Sequence, residues 1–379
     1  MKKNLLSKLL LCICVALSFG ACEKNEPEPN VNAADIDYTS KNANSWHNYS
    51  KNVSALLKND ATVLYNSWSE MYNNEPFATT FKNHKSVYTS ALSCIEQILE
   101  GCQDIANEVG TAKIGEPYDL YLSGKTTEAL YAVESWYSWH SRDDYTNNIY
   151  SIRNSYYGSC DGSVSENSLA KLISTENAEM DNQVVEAINA AVTAIQAIPQ
   201  PFRNNIASSE SKSAMDACAK LVTILEELEA YIQNNSNINI DAVLDPIVIN
   251  YVDVVVLPTY AELKDAANTL NNAIVSLATT PSNDNFKKAC EAWLAARKPW
   301  ETSEAFLFGP VDDLGLDPNM DSWPLDQDAI VNILESGKFS ELEWVDGDSD
   351  DAIEAAQSVR GFHTLEFLLF KDGKPRTIE

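Results

Sequence analysis

Between Ala214 and Ile232 the apolar positions fall at Ala214, Cys218, Leu221, Leu225, Leu228 and Ile232, in alternating steps of four and three. That spacing is one face of an α-helix. It recurs at Val184, Ile188, Ala191, Ile195 and Ile198, where Pro199 and Pro201 stop it. Tyr88, Ala91, Ile95, Ile98, Cys102 and Ile105 form a third stripe, and Val53, Leu57, Leu64, Trp68 and Met71 a fourth. Narrow stripes of this kind belong to antiparallel bundles, where each helix buries one seam. No sustained strand alternation is present. The β-branched run "IVINYVDVVVLPTY" follows Asp245-Pro246 and predicts a well-buried helix that starts there and kinks near Pro258. The pattern predicts an all-α protein.

The Asn/Ser tract "IQNNSNINID" is the best internal boundary. It predicts one helical bundle over 41–236 and a second over 237–379, each of ordinary domain size and long enough for four helices. Ahead of them, "MKKNLLSKLLLCICVALSFGAC" combines lysines, an apolar run and small residues before Cys22. Residues 1–21 therefore predict a secretory signal peptide rather than a spanning helix. "FGAC" resembles a bacterial lipobox, which implies lipidation of Cys22 and a flexible tether over 22–40.

Composition narrows the partners. The chain carries a formal charge of −28. Removing residues 1–21 takes away three lysines and no acid, leaving −31. Such a surface repels phosphate backbones and anionic lipid, so nucleic acid is excluded and the membrane is reached only through the lipid anchor. Beyond Cys12, Cys14 and Cys22, five cysteines remain, at no zinc-finger spacing. They read as small buried hydrophobes, with one disulfide permitted.

Four stretches could carry chemistry. In "VRGFHTLEFLLF", His363 and Glu366 are three residues apart and share a face of a helix that is apolar nearly all round. Buried there, they need hydrogen bonds, opposite charge or a cation; taken alone, such a pair is more often structural. In "AWLAARKPWETSEAFLFGPV", Trp293, Arg297, Trp300 and Glu304 recur at helical spacing, with Pro299 bending or restarting the helix. The plain alternative makes the tryptophans core and Arg297–Glu301 a surface pair. "DPNMDSWPLDQDAI" is Asp-rich and enters a helix near Asp326, where an Asp is ordinarily a cap. In "VESWYSWHSRDDYTNNIYSIRNSYYG", Ser138, His140, Asp144 and Asn148 fall on roughly one helical side, an arrangement commoner at interfaces than at sites. "DGDSDD" is not a calcium loop, because Asp351 and Gln357 stand where Gly and Glu are needed. With four histidines and no His-Glu-x-x-His, a zincin site is excluded.

Together these stretches resemble the imelysin family, which includes the insulin-cleaving membrane protease. "GFHTLEF" is similar to its G-x-H-x-x-E signature at Gly361, His363 and Glu366. "WLAARKPWETSEAFLFGPV" and "SWPLD" resemble two further segments, bringing in Arg297, Trp300, Ser303, Glu304 and Trp323. Ser138, Asp144, Asn148, Asn154 and Gly158 match a segment of the family's other half. The halves stand in reversed order, with 13 residues after Glu366, which points to circular permutation. The resemblance implies two helical bundles with a polar site between them. It implies metal ligands at His363, Glu366, Glu304 and Asp326, with Ser138, Asp144 and Asn148 on the opposite wall. One imidazole with three carboxylates suits a divalent or ferric ion, iron ahead of zinc, better than copper(I).

The function expected is a cell-envelope lipoprotein, anchored to the outer membrane, that binds a metal ion or a metal-bearing small ligand for iron uptake and delivers it to an envelope transport partner. An imelysin-type metallopeptidase is the alternative. A hydrolytic zinc site needs an open position and a base. Glu366 cannot be both ligand and base, and no second histidine lies nearby in the sequence. A structural or receptor lipoprotein without metal is the third reading.

Overall fold

The periodic segments form helices in a computed structural model that describes residues 36–345 and 347–378. The expected signal peptide, Cys22 and most of the tether lie outside the described residues. The helices that carry the core and the site are numbered in chain order: α1 (Ala43–Ser69), α2 (Ala91–Glu108), α3 (Ser141–Tyr157), α4 (Ala178–Ala197), α5 (Ser209–Asn234), α6 (Leu257–Thr279), α7 (Asn283–Glu301), α8 (Leu316–Asp321) and α9 (Gly361–Leu369). Strand structure among the described residues is confined to a two-residue hairpin after α9, pairing Phe370 with Pro375, and one isolated bridge, Tyr72 to Glu75.

The predicted stripes are the buried seams. Every stripe residue from Ala214 to Ile232 is buried, as are Val184, Ile188, Ala191 and Ile195. At two ends the stripe outruns the helix. Tyr88 is buried but precedes α2, whose capping box begins at Ser90, and Met71 lies exposed beyond the end of α1. The β-branched run differs more. Its helix begins at Asp241 rather than at Pro246, and the disturbance near Pro258 is a π-helical segment, Tyr251–Val256. Proline lacks the N–H that the α pattern needs, so the bonding register shifts ahead of it. One face of this run is buried, while Ile249 and Val254 are exposed. Pro299 does not restart the helix, since α7 runs through it and it sits in the last turn. The five described cysteines are free, four buried and Cys160 exposed.

Packing joins α4, α5, α2 and α3 on one side, and α1, α6, α7 and α9 on the other. Helix α1, assigned by chain order to the first bundle, packs on α6 and α9. The described ends of the chain meet: Asp37 pairs with Lys371 (2.5 Å) and Arg376 (2.8 Å). The two helix sets touch where α7 faces α3, and the short turn Glu304–Phe306 wedges between α2 and α3.

Helix α9 is buried along all nine residues. A helix this short leaves its last carbonyls without intrahelical donors, a cost in a dry core. Side chains from elsewhere supply them. The Trp46 indole donates to the Leu368 carbonyl (2.9 Å), the Arg376 guanidinium to that of Phe367 (3.0 Å), and the Arg376 amide to that of Leu369 (2.9 Å). Trp293 donates to the Phe362 carbonyl (2.9 Å). These contacts anchor the His363 helix against α1, α7 and the C-terminal hairpin.

Candidate functional site

Gly361 opens α9 with φ of +83°, a conformation that side chains with a Cβ resist. A Cβ there would also lie 2.4 Å from the Met320 carbonyl oxygen. This close approach brings the end of α8, and with it Asp321, against His363. The imidazole Nε2 lies 3.2 Å from Asp321 Oδ1 and 3.6 Å from Glu134 Oε1. Its Nδ1 lies 3.2 Å from Glu366 Oε2. The other oxygen of Glu366 accepts hydrogen bonds from the Ser138 amide (2.7 Å) and hydroxyl (2.6 Å).

Arg297 stands at the centre. Its guanidinium pairs with Glu134 (2.5 Å), Glu301 (2.5 Å), Asp144 (3.3 Å) and Asp321, and passes 3.4 Å from His363 Nε2. Asn148 donates to Glu301 (2.5 Å), the Trp300 indole to Asp321 (2.6 Å), and the Ser135 hydroxyl to Asp144. A serine–histidine–acid relay is absent here, because Glu366 lies between Ser138 and His363 rather than behind the histidine.

Beside this network is a cavity of about 270 Å³. The π-helical turn Val109–Lys113 aims the Lys113 ammonium into it, 3.1 Å from Glu134. Five carboxyl groups, from Glu108, Glu134, Glu304, Asp317 and Asp321, share the lining with that one ammonium. Glu304 is only 8 % exposed, and among the described residues no hydrogen bond or salt bridge engages its side chain. Oxygens of Glu301, Glu304 and Asp321 lie within 4.8 Å of one another, as do the ligand atoms of Glu134, Asp321 and His363. Arg297 pairs with members of both groups, and of the first group Glu304 and Asp321 line the cavity. Glu301 Oε1 lies near Arg297 but accepts no aligned hydrogen bond.

The electrostatics record this crowding. Burial drives Glu301 and Glu304 well above the usual carboxylate range. Burial and the Asp321 charge push Asp317 up to about 7, and burial, partly offset by Arg297, pushes Asp144 up to about 6. Burial works the same way on Glu134, but Lys113, the His363 hydrogen bond and Arg297 overcome it and hold Glu134 at about 2. Asp321 is likewise lowered, with Arg297 and His363 outweighing burial. Burial and Arg297 disfavour charge on His363, yet Asp321 and Glu134 raise it well above its ordinary value. The surrounding carboxylates thus favour the protonated form of the imidazole.

Most residues named from the sequence converge. Gly361, His363, Glu366, Arg297, Trp300, Ser138, Asp144 and Asn148 belong to one network, and Ser303 lies beneath it, donating to the Trp300 carbonyl (2.6 Å). Glu304 lines the cavity and Trp323 its edge. Asp326 does not join them: it caps the helix Gln327–Ser336 by accepting from the Ala329 amide (2.9 Å). Ser138 is not on the helical side expected, because α3 starts at Ser141 and Ser138 sits in the preceding turn; His140 is the N-cap. The surface-pair reading of Arg297 and Glu301 is overturned, since both are buried. Sequence reasoning passed over Glu134, Asp321, Asp317 and Lys113. The first lay among aromatics in "VESWYSW", and the two aspartates lay in the Asp-rich stretch from which Asp326 was chosen.

Comparison with known proteins gives the same family throughout. The imelysin (peptidase M75) family model matches residues 26–229 and 256–379. A crystal structure described as an imelysin peptidase from Bacteroides ovatus is 62% identical, covers 92% of this chain and all of that one, and superposes with a TM-score of 0.91. Iron-regulated protein A of Synechococcus elongatus is 34% identical over 125 residues, 33% of this chain and 31% of that protein. The chain thus spans about a third of the length of that curated relative.

Proposed function

This chain belongs to the imelysin family, and on that premise we propose that it binds a metal cation in the carboxylate cavity beside His363, as a lipid-anchored protein of the cell envelope serving iron uptake. The observation that carries the reading is Glu304, a carboxyl group only 8 % exposed that makes no hydrogen bond or salt bridge among the described residues and faces a cavity where five acids share one ammonium. A buried carboxylate needs compensation, and a cation supplies it where a helical scaffold forces several together. The donors fit the group: Glu301, Glu304 and Asp321 offer hard oxygens, with Asp317 and Glu134 at the edge. Such a set suits iron, manganese or zinc, and the iron-regulated relative favours iron. His363 and Arg297 would neutralise and orient the shared carboxylates, while Glu366, engaged by Ser138 and His363, would hold the helix rather than ligate. Reversed motif order by circular permutation remains part of this proposal, supported by Asp37, near the start of the described residues, pairing with Lys371 and Arg376 near their end.

Elemental analysis and calorimetric titration of the mature protein with Fe²⁺ under anaerobic conditions, Mn²⁺ and Zn²⁺ test it. Near-stoichiometric binding in wild type, lost in Glu304→Gln with helical content intact, is expected. Equal titrations for the two proteins would overturn the assignment. Because the Bacteroides ovatus relative is described as a peptidase, an unfolded protein substrate belongs in the same experiment. Chelator-sensitive cleavage would make the site catalytic rather than a carrier.

A further inference from the structure

A second, smaller cavity lies on the Glu366 side of His363. Its volume is about 20 Å³, and its walls include Tyr137, Trp136, Trp323, Gln327 and the His363–Glu366 pair. Only Trp323 is shared with the carboxylate cavity. Four wall residues carry a buried polar atom with no protein hydrogen-bond partner: Trp136 Nε1, Tyr137 Oη, Trp323 Nε1 and Gln327 Oε1. Three of them are N–H or O–H donors and one is an amide oxygen. Buried polar groups are almost always satisfied, so these four atoms call for partners, and one space adjoins the residues that carry them all. A cavity of roughly 10–15 Å³ holds one water, which takes two to four hydrogen bonds. The space here meets that size and admits nothing much larger.

We infer that this pocket is a hydration site, holding one ordered water on Trp136, Tyr137, Trp323 and Gln327 against the His363–Glu366 pair. The surrounding side chains are set for it. Tyr137 is 3 % exposed, its ring packed edge-on against Phe367 (5.1 Å) and Trp136 (4.3 Å). The Arg203 guanidinium covers the Trp136 ring at 3.8 Å and donates to the Trp136 carbonyl (3.2 Å). The water sits on the Glu366 side of the motif pair, apart from the carboxylate cavity, and it is no ligand of a cation bound there. The inference does not depend on the proposed cation, and its test separates the two.

Crystal structures of the mature protein at high resolution, with and without Mn²⁺, would be compared for wild type and Tyr137→Phe. In solution, the indole N–H signals of Trp136 and Trp323 would be examined for magnetisation transfer from long-lived water. One density peak within hydrogen-bond reach of at least three of the four atoms, unchanged by Mn²⁺, is expected. Tyr137→Phe keeps the ring packing and should weaken both the peak and the water signal. A dry pocket, side chains re-paired with protein groups, or a peak that moves to coordinate Mn²⁺ would overturn the inference. Density continuing beyond a single atom would also overturn it, since the oxygen would then belong to a larger ligand.

Discussion

Arg297 reaches four carboxylates and passes His363 within one buried network. Its planar fork engages several oxygens at once, which the single ammonium of a lysine cannot copy. Removing one partner of a buried ionic network leaves uncompensated charge, at a cost of about 3–5 kcal/mol. Arg297→Met should therefore lose stability of that order in chemical denaturation near neutral pH. The loss should shrink in mild acid, where the crowded carboxyls protonate. Arg297→Lys should recover only part of it. The sequence placed Arg297 at the site by resemblance alone; its spacing to Glu301 fitted a surface pair equally well. Four residues of separation fix a shared helical face, but not whether that face meets water.

At the scale of elements, α9 is the part most nearly written in the sequence. Its apolar circumference predicted burial, and all nine residues are buried. What the pattern could not supply is the neighbour that gives His363 its partners. Gly361 decides this, because its positive φ and missing side chain let the Met320 carbonyl close in and carry Asp321 to the imidazole. Gly361→Ala combines a left-handed backbone penalty with a clash against backbone, and should cost more than about 2 kcal/mol. Thermal melts should record the loss, and the histidine ring resonances of His363 should shift as Asp321 withdraws. A melt indistinguishable from wild type would mean that the approach of α8 is looser than described. The π-helical turn that follows α2 plays a comparable part, since it aims Lys113 inward where an α-helical register would point elsewhere.

For the whole molecule, the two kinds of shifted acid pull in opposite directions with pH. Asp317 at about 7 and Asp144 at about 6 lie above their unfolded value of about 3.9, so between those limits the folded chain binds more protons than the unfolded one. Glu301, Glu304 and His363, also raised, act in the same direction. Stability from these groups is present in mild acid and declines as pH rises through their folded values. Glu134 and Asp321 are depressed, so their contribution holds above about pH 4.5 and is lost as pH falls toward about 2. The melting temperature should accordingly rise from about pH 7.5 to about pH 5.5 and fall below about pH 4. Millimolar Mn²⁺ should flatten the rise, because a bound cation replaces the protons that crowding retains. A melting curve that instead drops steadily from pH 7.5 would mean the raised carboxyls are not crowded as described.

The hydrophobic period by itself determined that the chain is helical, which faces are buried and that the His363 helix lies in the core. Those properties are local, since a side chain's direction on a helix follows from its position in the sequence. Motif resemblance added the cluster around Arg297 and His363. Only the tertiary structure decided that Asp321 rather than Asp326 meets His363, that Glu134 and Lys113 arrive from another part of the chain, and that α1 packs with the C-terminal helices. These are meetings between distant segments. They depend on how helices cross and where a glycine lets backbones touch, and no spacing along the chain encodes that distance.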